Sequence, residues 1–436
     1  MPQPRPCHIE KASALLQKTL SPRALERIAR QTGFVQRHRL VTGPAVFWAL
    51  VVTLGAQMAR YLSDVLRTLN EREGWRLRYK PFWDRLSKRA FARFTQAIFR
   101  SLCAEMVTRV LRRQHGSEAA LFTQIFADDG SSFAVADGLR KIFPGRFKHQ
   151  KPAAVELHAH MSLLHDNLLS VTLAPDKEAE RQFLPPASSL PRGSLSLRDR
   201  GYIDVSYFEA LAPVGAFLIC RAPRGLNPTV VKVHGVRREL AKRWCGRRLH
   251  DLPWTKLRRS LEIVVSWPRP QKRQIELRLV VRYVPEKKAW TYLLTNLPRD
   301  LVDANTVAQL YRLRWQIELV FKDWKSGANL HAFATEHPAI VEGLIWASLC
   351  AAFLKRSLGH WAQRVMGTPI SARLASLAGP QILPRLAHWA QHRFPKKLLL
   401  AVLLFLAENA ARTQPKRDRT YERHLLGLRF AEVTRG

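Results

Sequence analysis

Four side chains between Tyr311 and Lys325 have the types and spacing needed to handle phosphate and metal. With YRLRWQIELVFKDWK taken as one helix turning about 100° per residue, Arg314, Glu318 and Lys325 fall at about 300°, 340° and 320° from Tyr311. A hydroxyl, a guanidinium, a carboxylate and an ammonium thus share one narrow stripe. Leu310, Leu313, Ile317, Val320, Phe321 and Trp324 fall between roughly 180° and 280°, an apolar arc able to seat the helix on a core. The stripe therefore borders the buried face. An ordinary i, i+4 pair between Arg314 and Glu318, worth a few tenths of a kcal/mol, would leave Tyr311 and Lys325 unexplained.

Two further acids end apolar runs: Asp129 in LFTQIFADDGSSFAV and Asp199 in SLSLRD. Cleavage and transfer of phosphodiesters by paired divalent metals needs carboxylates that hold both ions about 3.5–4 Å apart. Oxygen ligands suit Mg²⁺ or Mn²⁺, two ions. Asp129, Asp199 and Glu318 are the candidate metal ligands and catalytic residues, and Gly130 and Ser131 would let a phosphate approach the backbone. Asp128 competes with Asp129, with strand alternation favouring the latter. Taken alone, Asp-Gly marks a turn. His158 and His160 share one face of a strand, where hydrogen-bonded or surface histidines are the expected reading over metal ligands.

These side chains need a scaffold. Residues 1–118 read as a helical DNA-binding domain, with Ser21-Pro22 a helix start, Gly33 a stop, and Pro44 and Pro81 opening two long helices. Residues 119–222 form the first part of an α/β core. It has a strand reaching the Asp-Asp-Gly, two strands joined at His165-Asp166-Asn167, and a short helix with a loop. A strand to Asp199, a helix from about Asp204 to Leu211 and a strand from Ala216 to Arg221 complete it. Residues 223–300 are a β-rich insertion, residues 301–330 carry the last core helix, and residues 331–436 make a C-terminal helical region. The basic end, Gln414 to Phe430, reads as a mobile or DNA-facing tail.

Lys and Arg number 71 against 34 Asp and Glu, a formal charge of +37 spread along 436 residues. Such a charge serves a polyanion, because each neutralised phosphate releases counterions. Double-stranded DNA is the expected partner, rather than a small neutral substrate or a membrane. The five scattered cysteines argue for reduced core thiols over disulfides or zinc. The N-terminus lacks a signal-peptide pattern, and the apolar runs Leu344 to Leu354 and Leu398 to Ala407 fall short of a membrane span. A cytoplasmic, nucleoid-associated protein is expected.

The chain resembles the insertion-sequence-4 family of bacterial DDE transposases. The family signature Y-x2-R-x3-E-x6-K is met by Tyr311, Arg314, Glu318 and Lys325. Asp129-Gly130-Ser131 and Asp199-Arg200-Gly201-Tyr202 match the contexts of the two aspartates, and the resemblance covers about Phe122 to Lys325. It implies an RNase H-like mixed-sheet core that cuts and joins DNA at the element's ends, in a homodimeric synaptic complex to which the C-terminal region contributes. In that reading Tyr311, Arg314, Lys325 and Arg200 grip DNA. An aromatic of the insertion, here Trp290, stacks on a flipped base. Packing beneath the insertion sheet is the competing role for Trp290. A metal-dependent nuclease on the same core and an inactive DNA-binding regulator are the alternative functions.

Overall fold

Prolines, joined by hydroxyl caps at Ser21 and Thr42, set the starts of the first three helices. In the computed structural model, residues 5–37, 40–56, 61–106, 110–147, 149–253, 260–268, 274–284, 289–327, 330, 333–412 and 426–430 are described. The first helices are α1 (Pro6–Leu20), α2 (Pro22–Gln31), α3 (Gly43–Gly55), α4 (Leu62–Glu73), α5 (Tyr79–Leu86) and α6 (Arg89–Glu105). Ser21 Oγ accepts from the Ala24 amide at 3.3 Å, and Pro22 follows where no amide hydrogen is needed. The two long helices expected after Pro44 and Pro81 are each divided. Gly55 ends α3, and α5 stops at Leu86, where Ser87 and Lys88 turn the chain before α6.

A short strand β1 (Leu111–Arg113), which follows the N-terminal helices, pairs antiparallel with β11 (Leu428–Phe430) near the other end of the sequence. The last residues of the basic end are thus in a sheet rather than a free tail; residues 413–425 lie outside the described residues. The core strands are β2 (Ile125–Ala134), β3 (Ala154–Ser162), β4 (Asn167–Pro175), β5 (Leu195–Arg198) and β6 (Phe217–Arg221). Helix α7 (Val205–Leu211) connects the last two, and the Asp204 side chain caps it by accepting from the Ser206 amide. Where a short helix was expected before β5, two 3-10 turns flank Pro185 and Pro186. The order β4-β3-β2-β5-β6, with β2, β5 and β6 parallel, gives the RNase H-like mixed sheet.

The insertion is not a separate layer. Its elements are β7 (Thr229–His234), α8 (Arg238–Trp244), β8 (Leu261–Pro268), β9 (Gln274–Val284) and β10 (Ala289–Thr295). Strand β10 pairs antiparallel with β6, so the sheet runs on as β10-β9-β8-β7 to nine strands. The Asn296 side chain reinforces the junction as a peptide would, accepting from Leu218 N and donating to Ala216 O, both at 2.9 Å.

The remaining helices are α9 (Ala304–Arg312), α10 (Trp315–Gly327), α11 (Pro338–Met366), α12 (Ala372–Leu377), α13 (Gly379–Gln391) and α14 (Lys396–Asn409). Helix α11, 29 residues long, meets the length and composition of a membrane span, which the run Leu344 to Leu354 alone does not. Within the protein it is buried among α6, α3 and α14. One hydrophobic core joins the N- and C-terminal helices to one face of the sheet. A second, under α7 and α8, covers the other face. Of the cysteines, Cys103, Cys220 and Cys350 are core thiols as expected, whereas Cys7 and Cys245 are exposed.

Candidate active site

The helix expected from Tyr311 to Lys325 is in fact two. At Leu313 and Arg314 the amides bond three residues back, Leu313 to Leu310 at 3.0 Å and Arg314 to Tyr311 at 3.1 Å. This tightened turn separates α9 from α10. Three residues per turn bring positions i and i+3 into line, so Tyr311 and Arg314 stay on one side despite the break. Along α10, Glu318 keeps its i, i+4 relation to Arg314. The expected apolar arc is buried: Leu313 and Ile317 are inaccessible, and Val320, Phe321 and Trp324 nearly so.

Both strand acids lie at the carboxyl end of the β2–β5 parallel pairing. The register is Asp128 opposite Arg198, and the ladder stops there. Asp199 follows immediately, outside β5. Asp129 lies in mid-strand, not at the strand end expected from the Asp-Gly pair, because β2 continues against β3 as far as Ala134. Within that ladder Gly130 leaves room for two side chains. A Cβ there would lie 2.5 Å from the Glu156 carboxylate and 3.3 Å from the Tyr202 hydroxyl.

Alternation separates the neighbouring acids. Asp129 faces α10, where Arg314 Nη1 donates to its Oδ2 at 2.5 Å and Arg314 Nη2 donates to Glu318 Oε1. One guanidinium therefore bridges the acid of β2 and the acid of α10. Asp199, half-buried, accepts from the Tyr311 hydroxyl at 3.4 Å and has Arg221 Nη1 3.9 Å away. Burial pushes the Asp129 carboxyl up to about 7 against the pull of Arg314, and the charges of Asp199 and Glu318 push the same way. Arg314 is held more firmly protonated than usual: its burial is outweighed by Asp129, Tyr311 and the other two acids. Burial also raises the Tyr311 hydroxyl well above its ordinary value, keeping it a neutral donor.

Asp128 points the other way. It is 4% exposed, accepts from Arg198 Nε at 2.7 Å, and has His160 Nδ1 at 2.6 Å. Despite its burial, Arg198 and His160 hold its carboxyl down to about 2. His158 lies 3.0 Å from the Tyr202 hydroxyl and stacks on Phe183 at 4.0 Å, and burial lowers it to about 4. Sequence reading had no signal for these cross-strand partners, nor for Arg221 beside Asp199. It did note that His158 and His160 share a face, the face opposite Asp129.

The other expected DNA contacts are more dispersed. Arg200 is exposed beside Asp199. Lys325, also exposed, lies about 10 Å along α10 from Glu318 at helical rise. Burial of its stem lowers its ammonium, as does nearby Lys151. Trp290 is half-buried against Tyr283 at 4.8 Å. It shares a face with Tyr292 and Leu294 of the second core, opposite the face of Asp129.

The donor set suits a hard divalent cation: three carboxylates whose charges act on one another, flanked by groups that bond phosphate oxygen. Among the described residues, no three His, Cys, Asp or Glu side chains are gathered closely enough to hold an ion. The Arg314 guanidinium stands between two of the three acids. Any ion held by these three acids would require that guanidinium to turn aside.

Residues 121–354 match the family described as Transposase DDE domain. The chain is 24% identical over 381 residues to the transposase for insertion sequence element IS231C of Bacillus thuringiensis subsp. berliner, covering 78% of this chain and 77% of that protein. Over 77 residues, 18% of this chain and 21% of the relative, it is 46% identical to the putative transposase InsL for insertion sequence element IS186A of Escherichia coli K12. Among solved structures, the piggyBac transposase synaptic complex with hairpin DNA aligns over 96% of this chain and 90% of that one, with TM-score 0.44 and 10% identity.

Proposed function

Because the chain belongs to the DDE transposase family and is a DNA-cleaving and strand-transferring enzyme, we propose that it mobilises a bacterial insertion sequence of the insertion-sequence-4 type. It would do so as a homodimer that brings two element ends together, in the cytoplasm at the nucleoid. The observation that carries this reading is the arrangement of Asp129, Asp199 and Glu318 about Arg314 and Tyr311 at the carboxyl end of the β2–β5 pairing. The Tyr311, Arg314, Glu318 and Lys325 signature supports the finer family assignment.

Asp129, Asp199 and Glu318 would hold two Mg²⁺ or Mn²⁺ ions, which supply Lewis acidity to the scissile phosphate and to the attacking oxygen. The chain's other groups position the DNA. Arg314 turns from its two carboxylates to phosphate oxygens, for which its planar fork is equally suited. Tyr311, neutral, donates its hydroxyl to one oxygen. Lys325 and Arg200 meet phosphates farther along the strand. Trp290 would reach a base only where DNA bends past the sheet edge to its other face.

The test uses the element's own terminal repeats in a strand-transfer assay. Glu318→Gln is expected to bind the ends as the wild type does and to lose Mg²⁺-dependent nicking by 10²-fold or more, on the order seen when a transition-state contact is removed. Full activity in this variant would remove Glu318 from the catalytic set. Cleavage without joining by the wild type would identify a nuclease, and binding without nicking a regulator.

A further inference from the structure

The residues immediately before the two strand acids have no part in the site so far. Asp128 and Arg198 are paired in the β2–β5 register, each one position ahead of Asp129 and Asp199. Arg198 is completely buried, and its Nε donates to Asp128 at 2.7 Å. Its Nη2 donates to the Tyr207 hydroxyl of α7 at 3.1 Å, and the guanidinium lies 4.3 Å over the Tyr207 ring. Tyr207 in turn donates to Pro185 O at 2.7 Å. From the other side, His160 of β3, in register with Asp128, closes on its second oxygen at 2.6 Å. One carboxylate therefore ties three adjacent strands and a helix together on the face turned away from the DNA site.

Strand side chains alternate, so a slip of one residue between β2 and β5 would send Asp129 and Asp199 to opposite faces. Backbone bonding alone guards poorly against this, because the parallel pairing spans only the four residues from Ile125 to Asp128. A buried ion pair at its last rung does guard against it. A slip would leave both charges buried without partners.

We propose that the Asp128–Arg198 pair, braced by His160 and Tyr207, is the positioning device that holds Asp129 and Asp199 on one face and thereby sets the site's affinity for divalent metal. This rests on the reading of Asp129 and Asp199 as metal carboxylates. The four residues bond to one another and to Pro185, on the face opposite Asp129. They act through the backbone of Asp129 and Asp199.

The test is a Mn²⁺ titration of the full chain followed by electron paramagnetic resonance, with melting temperature and end binding measured alongside. Asp128→Asn and His160→Gln are each expected to raise the half-saturating Mn²⁺ concentration about tenfold or more, as loss of groups behind metal ligands does elsewhere. End binding is expected to stay at the wild-type level. Arg198→Lys, which keeps the charge but not the fork, is expected to fall between. If Asp128→Asn does not fold, His160→Gln carries the decision, since it leaves the ion pair in place. Wild-type Mn²⁺ affinity in folded Asp128→Asn or His160→Gln overturns the proposal. If Asp129→Asn also binds Mn²⁺ as the wild type does, the metal reading fails first and takes the proposal with it. Loss of binding in Asp129→Asn with no shift in the other variants defeats the positioning role alone.

Discussion

Arg314 is a resident cation in a cluster of acids, and its position makes proton, guanidinium and metal compete. Asp129 is raised to about 7 from an ordinary value near 4, chiefly by burial, so between those values the folded chain binds more protons than the unfolded one. Its contribution to stability is present at low pH and is lost as pH rises through 7. A metal needs the ionised carboxylate and must displace that proton. The half-saturating Mn²⁺ concentration is therefore expected to rise as pH falls from 8 to 6, by up to about tenfold per unit below 7; a flat response across that window would contradict the shift. Arg314→Met should lower the melting temperature of the metal-free protein, by about 3 kcal/mol in stability. Added Mn²⁺ should then restore more stability than it adds to the wild type. At this scale the sequence was informative where partners are local. Glu318 falls one turn after Arg314, and strand alternation separates Asp129 from Asp128. Arg198 and His160 were invisible as partners because they reach Asp128 only through strand register, 70 and 32 residues away.

The acids become a site only if α10 is held against the sheet, and a second buried network does this. Arg356 of α11 pairs with Asp323 of α10 at 3.5 Å and with Asp166, in the β3–β4 turn, at 2.9 Å. His360 adds a contact to Asp166 at 3.1 Å. Asp166 itself has φ of 47°, a left-handed conformation that Asp tolerates in a tight turn. Arg356→Met would leave two acids with less compensation in a poorly solvated place. A loss of about 3 kcal/mol is expected in denaturant unfolding. Asp323→Asn should cost less, since Arg356 keeps Asp166; equal costs would show that the α10 arm carries the whole effect. The elements themselves were mostly legible, from the β3–β4 hairpin through β5 and α7 to β6, because caps, turns and alternation are local signals. The break between α9 and α10 was not, since no glycine or proline marks Leu313-Arg314. The continuation of the sheet through the insertion was also hidden, because β10 completes the edge of β6 from 72 residues away.

At the scale of the whole molecule, charge and burial divide the chain. The long apolar α11 gathers N- and C-terminal helices around itself, and Gly343 allows that closeness where a Cβ would press 2.2 Å from the Phe91 ring. The chain carries a net charge of +37. A cluster of basic residues lies at the far edge of the extended sheet, on α8 and the turn that follows it. There Arg238, Lys242, Arg243 and Arg247 are exposed, with no ion pair among the described residues, while Trp244 anchors the helix in the second core. Unpaired cations on a fixed scaffold are suited to DNA phosphate, and the salt dependence of binding counts such contacts. Each phosphate neutralised contributes about 0.9 to the slope of log K against log salt. Replacing these four residues with alanine is expected to lower the magnitude of that slope by up to about 3.6 while leaving Mn²⁺ binding unchanged. The slope is read from end-binding titrations at several salt concentrations. An unchanged slope would mean that DNA does not reach the α8 edge. A full reduction would extend the bound DNA from the carboxyl end of the β2–β5 pairing to the last strand of the sheet.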